Sequence, residues 1–227
     1  MPRVEIDNLS KVYFAGGEKI TAVDHLTLTI NQGDFMSIMG HSGSGKTTLI
    51  SMIGGILKPT TGRIHIGGTD ICSLDDEGLS EYRNQTLGFM FQFSSLLPVL
   101  TAKENVLLPG IFSPYKNWDR DKRAQEYLDM LGIGDKANAC PGQLSGGQQR
   151  RVAIARALIN DPKLILADEP TGDLDEETEA EIIEIFGRLN RETGITFVIV
   201  THNSEVARSC NSQYRMTHGV LTSLNGS

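Results

Sequence analysis

Gly40-His41-Ser42-Gly43-Ser44-Gly45-Lys46-Thr47 is the stretch that decides the fold of this 227-residue chain. It matches the pattern G-x-x-x-x-G-K-[ST], in which glycines allow successive backbone N–H groups to point at one anion. An apolar run at residues 35–39 precedes it and a helical pattern at residues 46–53 follows it, as a phosphate-binding loop between a strand and a helix requires. Lys46 would supply a charge for the β and γ phosphates of a nucleotide, and the Thr47 hydroxyl would ligate Mg²⁺. Residues 40–48 are therefore the predicted nucleotide site, with Thr48 included and with His41 at a variable position to which no chemistry is assigned.

Short apolar runs alternate with helical patterns through much of the chain. Residues 164–167 and 196–200 have the pattern of buried strands, and residues 176–190 have that of an amphipathic helix. Such alternation predicts an α/β fold with a mostly parallel sheet and helices on both sides. Together with the glycine pattern at residues 40–47, it resembles the core of the P-loop NTPases (RecA-like).

Two regions depart from this alternation. Residues 1–30 and 62–72 show strand-like alternation around glycine-rich turns, which predicts an N-terminal antiparallel β subdomain. Residues 94–158 are mostly helical in pattern, with helices expected at 121–131 and 148–159, which predicts an α-helical subdomain inserted into the core. We expect all of these parts to form one nucleotide-binding domain over residues 1–227.

The composition narrows the class of partners. The chain has 28 acidic and 21 basic residues, for a net charge of −7, so we expect no nucleic-acid partner. The nearest basic group, Arg150, Arg151 and Arg156, is interpreted as a helix face. The three cysteines lie far apart without metal-ligand spacing, and no apolar run approaches the ~18 residues that would cross a bilayer. With no signal peptide in its first residues, the chain is predicted to be cytoplasmic.

A second candidate site element is the run Leu164-Ile165-Leu166-Ala167-Asp168-Glu169, an apolar strand that ends in two acids. Ligands bind at the carboxyl ends of parallel strands in open α/β folds. Asp168 is expected to hold Mg²⁺. Because side chains alternate along a strand, Glu169 is expected on the opposite side of the pleat, where it would take a proton from an attacking water.

The segment Leu144-Ser145-Gly146-Gly147-Gln148 predicts another helix start. Ser145 is a good N-cap, and the two glycines leave the helix end bare, which makes a second site for phosphate. This segment resembles the signature motif of the ATP-binding cassette (ABC) ATPases, and the resemblance covers essentially the whole chain in the family's motif order. It implies that the nucleotide is ATP. It further implies that two copies pack head to tail, with each ATP between the P-loop of one copy and residues 145–148 of the other.

The resemblance also implies roles for four residues outside these motifs. Tyr13 matches the aromatic residue that stacks on adenine, and Gln92 matches the glutamine that reaches Mg²⁺ and the attacking water. Asp175 ends the segment Gly172-Asp173-Leu174-Asp175, which matches the loop that crosses the dimer interface, and it is counted with the nucleotide-binding residues. His202 matches the histidine that contacts the γ-phosphate. The implied catalytic set is Glu169, His202, Lys46 and Gln92, and the implied metal set is Thr47, Gln92 and Asp168.

Within the family the chain most resembles the subfamily of lipoprotein release, macrolide export and bacterial cell division. The resemblance is carried by Arg83-Asn84, by the segments at residues 93–98 and 101–106, and by the segment at residues 167–172. Two residues depart from the subfamily pattern: Asp173 stands where Asn is usual, and Thr47 where Ser is commoner.

The resemblance implies an ATPase that forms an ATP-dependent homodimer and drives a separate integral-membrane permease from the inner face of the membrane, for export or extraction. Exposed Leu96, Leu97 and Val99 are candidates for the permease contact, with the core of the helical subdomain as the alternative. Three other functions stay open: a DNA-repair or chromosome-organising ATPase, a ribosome-acting cassette protein, and a cell-division-type subunit that signals without transporting anything. The first would need a long coiled coil and the second would normally have two cassettes in one chain.

Overall fold

The structure is a computed structural model that describes residues 3–92, 94–112 and 119–224. Phe93, one of the residues that carry the family resemblance, lies outside these ranges. Among the described residues the strands form a four-stranded sheet and a six-stranded sheet.

The four-stranded sheet is antiparallel and has the order β2-β1-β4-β5. Its strands are β1 (Val4–Ala15), β2 (Glu18–Ile30), β4 (Thr61–Ile66) and β5 (Thr69–Asp70). Alternate residues such as Leu26, Leu28 and Ile30 are buried, which is the pattern of a sheet with one face on the core. This sheet corresponds to the antiparallel β region expected from the sequence.

The six-stranded sheet has the order β10-β9-β3-β8-β7-β6 and is parallel except for the β9–β10 pair. Its strands are β3 (Phe35–Met39), β6 (Leu87–Met90), β7 (Leu164–Asp168), β8 (Thr196–Thr201), β9 (Ser212–Thr217) and β10 (Val220–Ser223). Every residue of β8 is buried, because a parallel sheet is covered on both faces.

The two faces of the parallel sheet belong to two different cores. Successive residues of a strand point to opposite faces, so Phe197 and Ile199 of β8 join one apolar cluster, while Val198 and Val200 join the other. The first cluster contains the helices of the middle of the chain, and the second contains the antiparallel sheet and the helix after β3.

Seven α-helices complete the described part of the chain: α1 (Lys46–Ile53), α2 (Asp76–Thr86), α3 (Ala102–Ile111), α4 (Arg120–Met130), α5 (Gly146–Leu158), α6 (Glu176–Thr193) and α7 (Ser204–Arg208). Helices α3, α4 and α5 contact one another, as expected for the inserted helical region. Capping boxes start α3 at Thr101 and α5 at Ser145.

The fold class expected from the sequence is confirmed. Helix α1 has the predicted bounds, whereas α5 begins two residues earlier than predicted, at Gly146. Helix α2 was not predicted because it contains a glycine and buries only Leu79, so its apolar periodicity is weak. The division of residues 1–227 into one domain with three subdomains stays a prediction.

No helix within residues 3–92, 94–112 and 119–224 is both long enough and apolar enough to cross a membrane.

Candidate functional site

A cleft of about 570 Å³ lies where the parallel strands end. Met39, Asp168 and Thr201 are at the carboxyl ends of β3, β7 and β8, which are neighbours in the sheet, so the loops that follow emerge side by side. The residues that line the cleft are Ala22, His41, Ser42, Gly43, Ser44, Gly45, Lys46, Thr47, Thr48, Gln92, Asp168, Glu169 and His202.

The glycine-rich loop is built to bring backbone close to a ligand. Gly45 has a φ of 108°, and a Cβ there would overlap the carbonyl oxygen of Ala22, so only glycine fits. Gly45 is also the N-cap of α1 and gives it no side-chain cap. The N–H groups of the first turn of α1 are therefore available to an anion, and the positive end of the helix dipole favours one.

Two side chains of this loop, Lys46 and Ser44, have the character of phosphate-binding groups. The buried Lys46 ammonium donates to the carbonyls of Gly40 and His41 at 2.7 and 3.2 Å, so its charge is held at the loop. The hydroxyl of Ser44 is buried and has no hydrogen-bond partner among the described residues. A phosphate group would supply acceptors for both.

Asp168 and Thr47 both line the cleft and share a side-chain hydrogen bond. Burial raises the pKa of the Asp168 carboxyl, and the charge of Glu169 raises it further, while the Thr47 hydrogen bond and Lys46 act in the opposite direction. A half-buried carboxylate and an exposed hydroxyl that face the same cleft are suitable oxygen ligands for Mg²⁺ beside substrate phosphates. The described residues contain no group of three or more His, Cys, Asp or Glu that would hold a metal without such phosphates.

We expect Asp168→Asn to raise the melting temperature of the nucleotide-free protein at neutral pH by on the order of 2 °C. A raised carboxyl pKa contributes stability that is present below the ordinary value of 3.8 and is lost as pH rises through the raised pKa, so the ionised group is unfavourable at neutral pH. The same change should abolish the further rise in melting temperature caused by Mg²⁺-ATP. Differential scanning fluorimetry measures both effects, with exposed Asp7→Asn as the control. A lower melting temperature without nucleotide, or an undiminished response to Mg²⁺-ATP, would contradict this reasoning.

Glu169 contacts His202 across the cleft. Glu169 Oε2 lies 3.0 Å from His202 Nδ1 and accepts a hydrogen bond from the His202 N–H at 3.2 Å. The expectation that strand pleating sets the direction of Glu169 is wrong, because β7 ends at Asp168 and Glu169 has a left-handed φ of 46°. Its N–H donates to the Val200 carbonyl at 2.9 Å, and this turn places its carboxylate in the same cleft as that of Asp168.

Gln92 lies in the segment between β6 and α3 and lines the cleft with an exposed side chain. Its backbone carbonyl accepts a hydrogen bond from Arg150 of α5. The end of this segment nearest the cleft is therefore attached to the helix that follows residues 144–145.

The second predicted phosphate site does not line this cleft. Ser145 caps α5 by accepting from the Gln148 N–H at 3.2 Å, and the Gln148 side chain accepts from the Ser145 N–H at 2.9 Å. Gly146 and Gly147 occupy the first turn, where backbone N–H groups have no partner within the helix, and Gly146 is exposed. The bare helix end predicted from the sequence is thus present, but it stands apart from residues 40–48 of the same chain.

Tyr13 and Asp175 are also outside the lining of the cleft. Tyr13 is 40% exposed on β1, with the Lys11 ammonium 5.3 Å from its ring centroid, so one aromatic surface is accessible. Asp175 is the N-cap of α6, where hydrogen bonds from the Thr178 N–H and hydroxyl lower the pKa of the carboxyl.

Sequence reasoning missed two contributors to this region. Ala22 of β2 lines the cleft, and its carbonyl oxygen lies where a Cβ of residue 45 would be, so residue 45 has to be glycine. Arg150 lies on α5 with Arg151 and Arg156, but it is only 4% exposed, which its interpretation as part of a helix face did not specify. The signal that was available is helical spacing, because Arg150 precedes the buried Ile154 by one turn.

Comparison with known proteins agrees with this geometry. The profile of the family described as "ABC transporter" matches residues 23–172. The lipoprotein-releasing system ATP-binding protein LolD of Alcanivorax borkumensis is 42% identical over 98% of this chain and 98% of its own length. The macrolide export ATP-binding/permease protein MacB of Rhodopirellula baltica is 44% identical over 96% of this chain, which spans only 32% of MacB. The ATP-binding cassette MJ0796, solved as a post-hydrolysis dimer bound to ADP and Pi, is 44% identical with a TM-score of 0.90 and covers 99% of this chain and 100% of its own. The chain therefore belongs to the ABC transporter family, as one of its ATP-binding, ATP-hydrolysing cassettes.

Proposed function

We propose that this chain hydrolyses ATP as one of two copies packed head to tail and thereby drives a separate integral-membrane partner. The observation that carries the proposal is the separation of two phosphate-binding helix ends. One chain has the start of α1 in the cleft, while the exposed start of α5 does not line it. A second copy in a head-to-tail arrangement would bring its α5 to this cleft, which agrees with the dimeric, nucleotide-bound MJ0796 cassette.

In this dimer the residues of the cleft divide the chemistry among them. The residue 40–48 loop and the start of α1 bind the phosphates, and Tyr13 offers an aromatic surface to adenine. Glu169 orients the attacking water and accepts its proton, and His202 holds the Glu169 carboxylate in place. Lys46 leaves the carbonyls of its own loop and moves to the β and γ phosphates, where its charge stabilises the transferring group.

Thr47, Asp168 and Gln92 would hold Mg²⁺, which when bound offsets the charge of the β and γ phosphates. The partner copy contributes its Ser145 hydroxyl and the N–H groups of the first turn of α5 to the γ-phosphate. After hydrolysis the γ-phosphate no longer bridges the two copies, and they separate. The free energy of ATP binding and hydrolysis is in this way converted into closing and opening of the dimer.

The membrane partner would dock in a groove of about 510 Å³ beside Gln92, between α2, β6 and α5. Its rim has three exposed apolar residues: Ile56, Phe91 and Phe112 are 53%, 42% and 78% exposed. The side chains of Asn84 and Asn160 both donate to the Pro109 carbonyl, and their buried Oδ1 atoms have no partner among the described residues. An apolar segment with a polar hydrogen-bond donor fits this lining.

The residues expected from the sequence at this contact differ in exposure. Leu96 is half-buried against the apolar core, as the alternative interpretation held. Leu97 and Val99 are 46% and 83% exposed and stay candidates for the same surface. The partner places the chain at the membrane, and the names of LolD and MacB support release or export as the direction of transport.

We expect Phe112→Asp to reduce capture of the membrane partner by roughly tenfold or more, because removal of an anchoring aromatic residue costs about 2 kcal/mol or more at an interface. The measurement is affinity capture from detergent-solubilised membranes of cells that co-express the neighbouring membrane gene, with the partner quantified by mass spectrometry.

The matched control is Val220→Asp. Val220 is 46% exposed on β10, which lies at the opposite edge of the parallel sheet from β6. Equal capture by both variants would remove the groove from the partner contact. A protein with no membrane partner under any nucleotide condition would instead overturn the transport proposal itself.

A further inference from the structure

Arg150 is a buried residue of α5 that does not line the nucleotide cleft. Its guanidinium donates to the carbonyls of Phe91 at 3.0 Å, Gln92 at 2.7 Å and Gly172 at 3.2 Å, and the residue is 4% exposed. These three acceptors belong to two segments that are far apart in sequence. One segment leads out of β6 into Gln92, and the other leads from Glu169 towards α6.

The burial of Arg150 makes these hydrogen bonds strong and dependent on the exact positions of the acceptors. A buried cation is costly unless its donors are satisfied, and burial accordingly lowers the pKa of the Arg150 guanidinium. Among the described residues Arg150 forms no ion pair, and Asp173 is the carboxylate whose field acts on it from nearby. Its terminal N–H groups are satisfied by backbone carbonyls, while its buried Nε has no partner among the described residues. The positions of these carbonyls are thereby fixed by a rigid, planar group with donors in set directions.

A second arginine of the same helix holds the other end of the segment after β6. Arg156 donates to the carbonyls of Ser94 and Ser95, both at 2.7 Å. The segment at residues 91–95 is therefore attached to α5 at both ends. The two ends have different neighbours, because Gln92 lines the nucleotide cleft while Ser95 and Arg156 line the groove.

Arg151, the next residue of α5, is a useful comparison because its contacts stabilise the fold and do not reach the cleft. It donates to the Leu131 carbonyl at 2.8 Å and pairs with Glu181 at 2.6 Å. These partners lie in the helical region and on α6, and none of them lines the cleft. Arg151 thus matches Arg150 in residue type and helix and differs in what it holds.

We propose that Arg150 is a positioning residue for ATP hydrolysis, which sets Gln92 and the segment beginning at Gly172 in one fixed relation to helix α5. The inference rests on the proposed function, in which α5 presents its N-terminus to the nucleotide of the partner copy. When the N-terminus of α5 binds the nucleotide of the partner copy, Arg150 would therefore also change the position of Gln92 in the cleft of its own copy. Each of the two sites in a dimer would sense through Arg150 whether the other is closed.

The first test compares Arg150→Lys with the control Arg151→Lys. Lysine keeps the charge but has a single nitrogen, which cannot reach three carbonyls in the directions of a guanidinium. We expect Arg150→Lys to lower kcat on the order of tenfold through misplacement of the cleft residues. The KM for ATP should stay within about twofold, because the loop at residues 40–48 is untouched. Arg151→Lys should leave both constants near those of the parent.

The second test is a double-mutant cycle with Gln92→Ala, which separates positioning from general loss of structure. If Arg150 acts through Gln92, Arg150→Lys should lower kcat by no more than about twofold in the Gln92→Ala background. A purely structural role would instead multiply the two losses. Arg150→Gln, which keeps two donors without the charge, serves as a second variant in the same cycle, and melting temperatures identify any variant that is not folded at the assay temperature.

The outcomes distinguish this inference from the function on which it rests. A parent-like kcat for Arg150→Lys, or fully multiplicative losses in the cycle, would overturn the positioning role while leaving the ATPase site intact. A parent-like kcat for Gln92→Ala would show that the error lies in the assignment of Gln92 itself, and the positioning role would fall with it. Three results together would support the proposal. Arg150→Lys would lower kcat without changing KM, Arg151→Lys would lower neither constant, and Arg150→Lys would cause little further loss of kcat in the Gln92→Ala background.

Discussion

Replacement of Glu169 by Gln should leave a protein that binds ATP, dimerises on it and no longer hydrolyses it. Loss of a general base costs about 10²- to 10⁴-fold in rate, and Gln keeps the size of the side chain and its acceptor for the His202 N–H. The loop at residues 40–48 is unchanged, so ATP binding and closure of the dimer should persist. Phosphate release measures the rate, and light scattering after size-exclusion chromatography with and without ATP measures the mass.

The control for this prediction is Glu184→Gln, an equal change of charge at an exposed position of α6. It should hydrolyse ATP like the parent and should form no lasting ATP-bound dimer. If Glu169→Gln released phosphate at the parent rate, Glu169 would have no role in activating water. If it were inactive but stayed monomeric with ATP, the closed dimer would be the part of the mechanism to abandon.

Gly146→Asp should abolish ATP hydrolysis without unfolding the protein. A Cβ at Gly146 would make only ordinary contact with Leu174 at 3.5 Å, whereas a Cβ at Gly147 would overlap Thr178 at 2.6 Å. An acidic residue in the first turn favours the helix itself. The same carboxylate repels the γ-phosphate that the partner's cleft presents, and we expect a loss on the order of 10² or more in kcat. Gly146→Ala is the control and should retain most of the activity.

Mixing this variant with a loop variant tests which copy supplies each half of the site. Lys46→Ala should be inactive alone, because its own cleft lacks the charge for the phosphates. In a mixed dimer the cleft of the Gly146→Asp copy faces the intact α5 of the Lys46→Ala copy. An equal mixture should therefore recover about a quarter of the parent activity, since half of randomly formed dimers have one complete site.

If each chain completed its own site, a mixture of Gly146→Asp and Lys46→Ala would have no more ATPase activity than the separate variants. Steady-state hydrolysis is measured for each variant alone and for the mixture at one total concentration, across a dilution series. A mixture as inactive as its components would contradict the head-to-tail arrangement, and high activity of Gly146→Asp alone would remove α5 from the site.

The Glu169–His202 contact gives these predictions a structural starting point. The carboxylate is directed into the cleft by a left-handed turn and lies 3.0 Å from His202. Lys46, by contrast, donates to the carbonyls of its own loop. In the proposed mechanism the fold itself therefore directs the group that acts on water, whereas Lys46 exchanges these carbonyls for phosphate oxygens.

Much of this protein was determined by its sequence alone, wherever function depends on local backbone and near neighbours. The glycine pattern at residues 40–47 predicts a strand, a loop and a helix, and the structure has them at Phe35–Met39 and Lys46–Ile53. Ser145 predicts a capped helix start, and its hydroxyl does cap Gln148. These features follow from φ preferences and from hydrogen bonds between residues three or four apart, so neighbouring residues suffice to specify them.

Only the tertiary structure decided the features that depend on residues distant in sequence. The direction of Glu169 is set by a hydrogen bond to Val200 of the next strand, which pleating within β7 does not specify. The sequence analysis placed Arg150 on a helix face without specifying its burial, and it is buried because carbonyls 58, 59 and 22 residues away converge on it. The sequence of α5 does not predict these acceptors, because they come together only when β6, β7 and α5 pack against one another. The sequence thus determines what each side chain can do chemically, whereas tertiary packing determines which side chains lie in the same site.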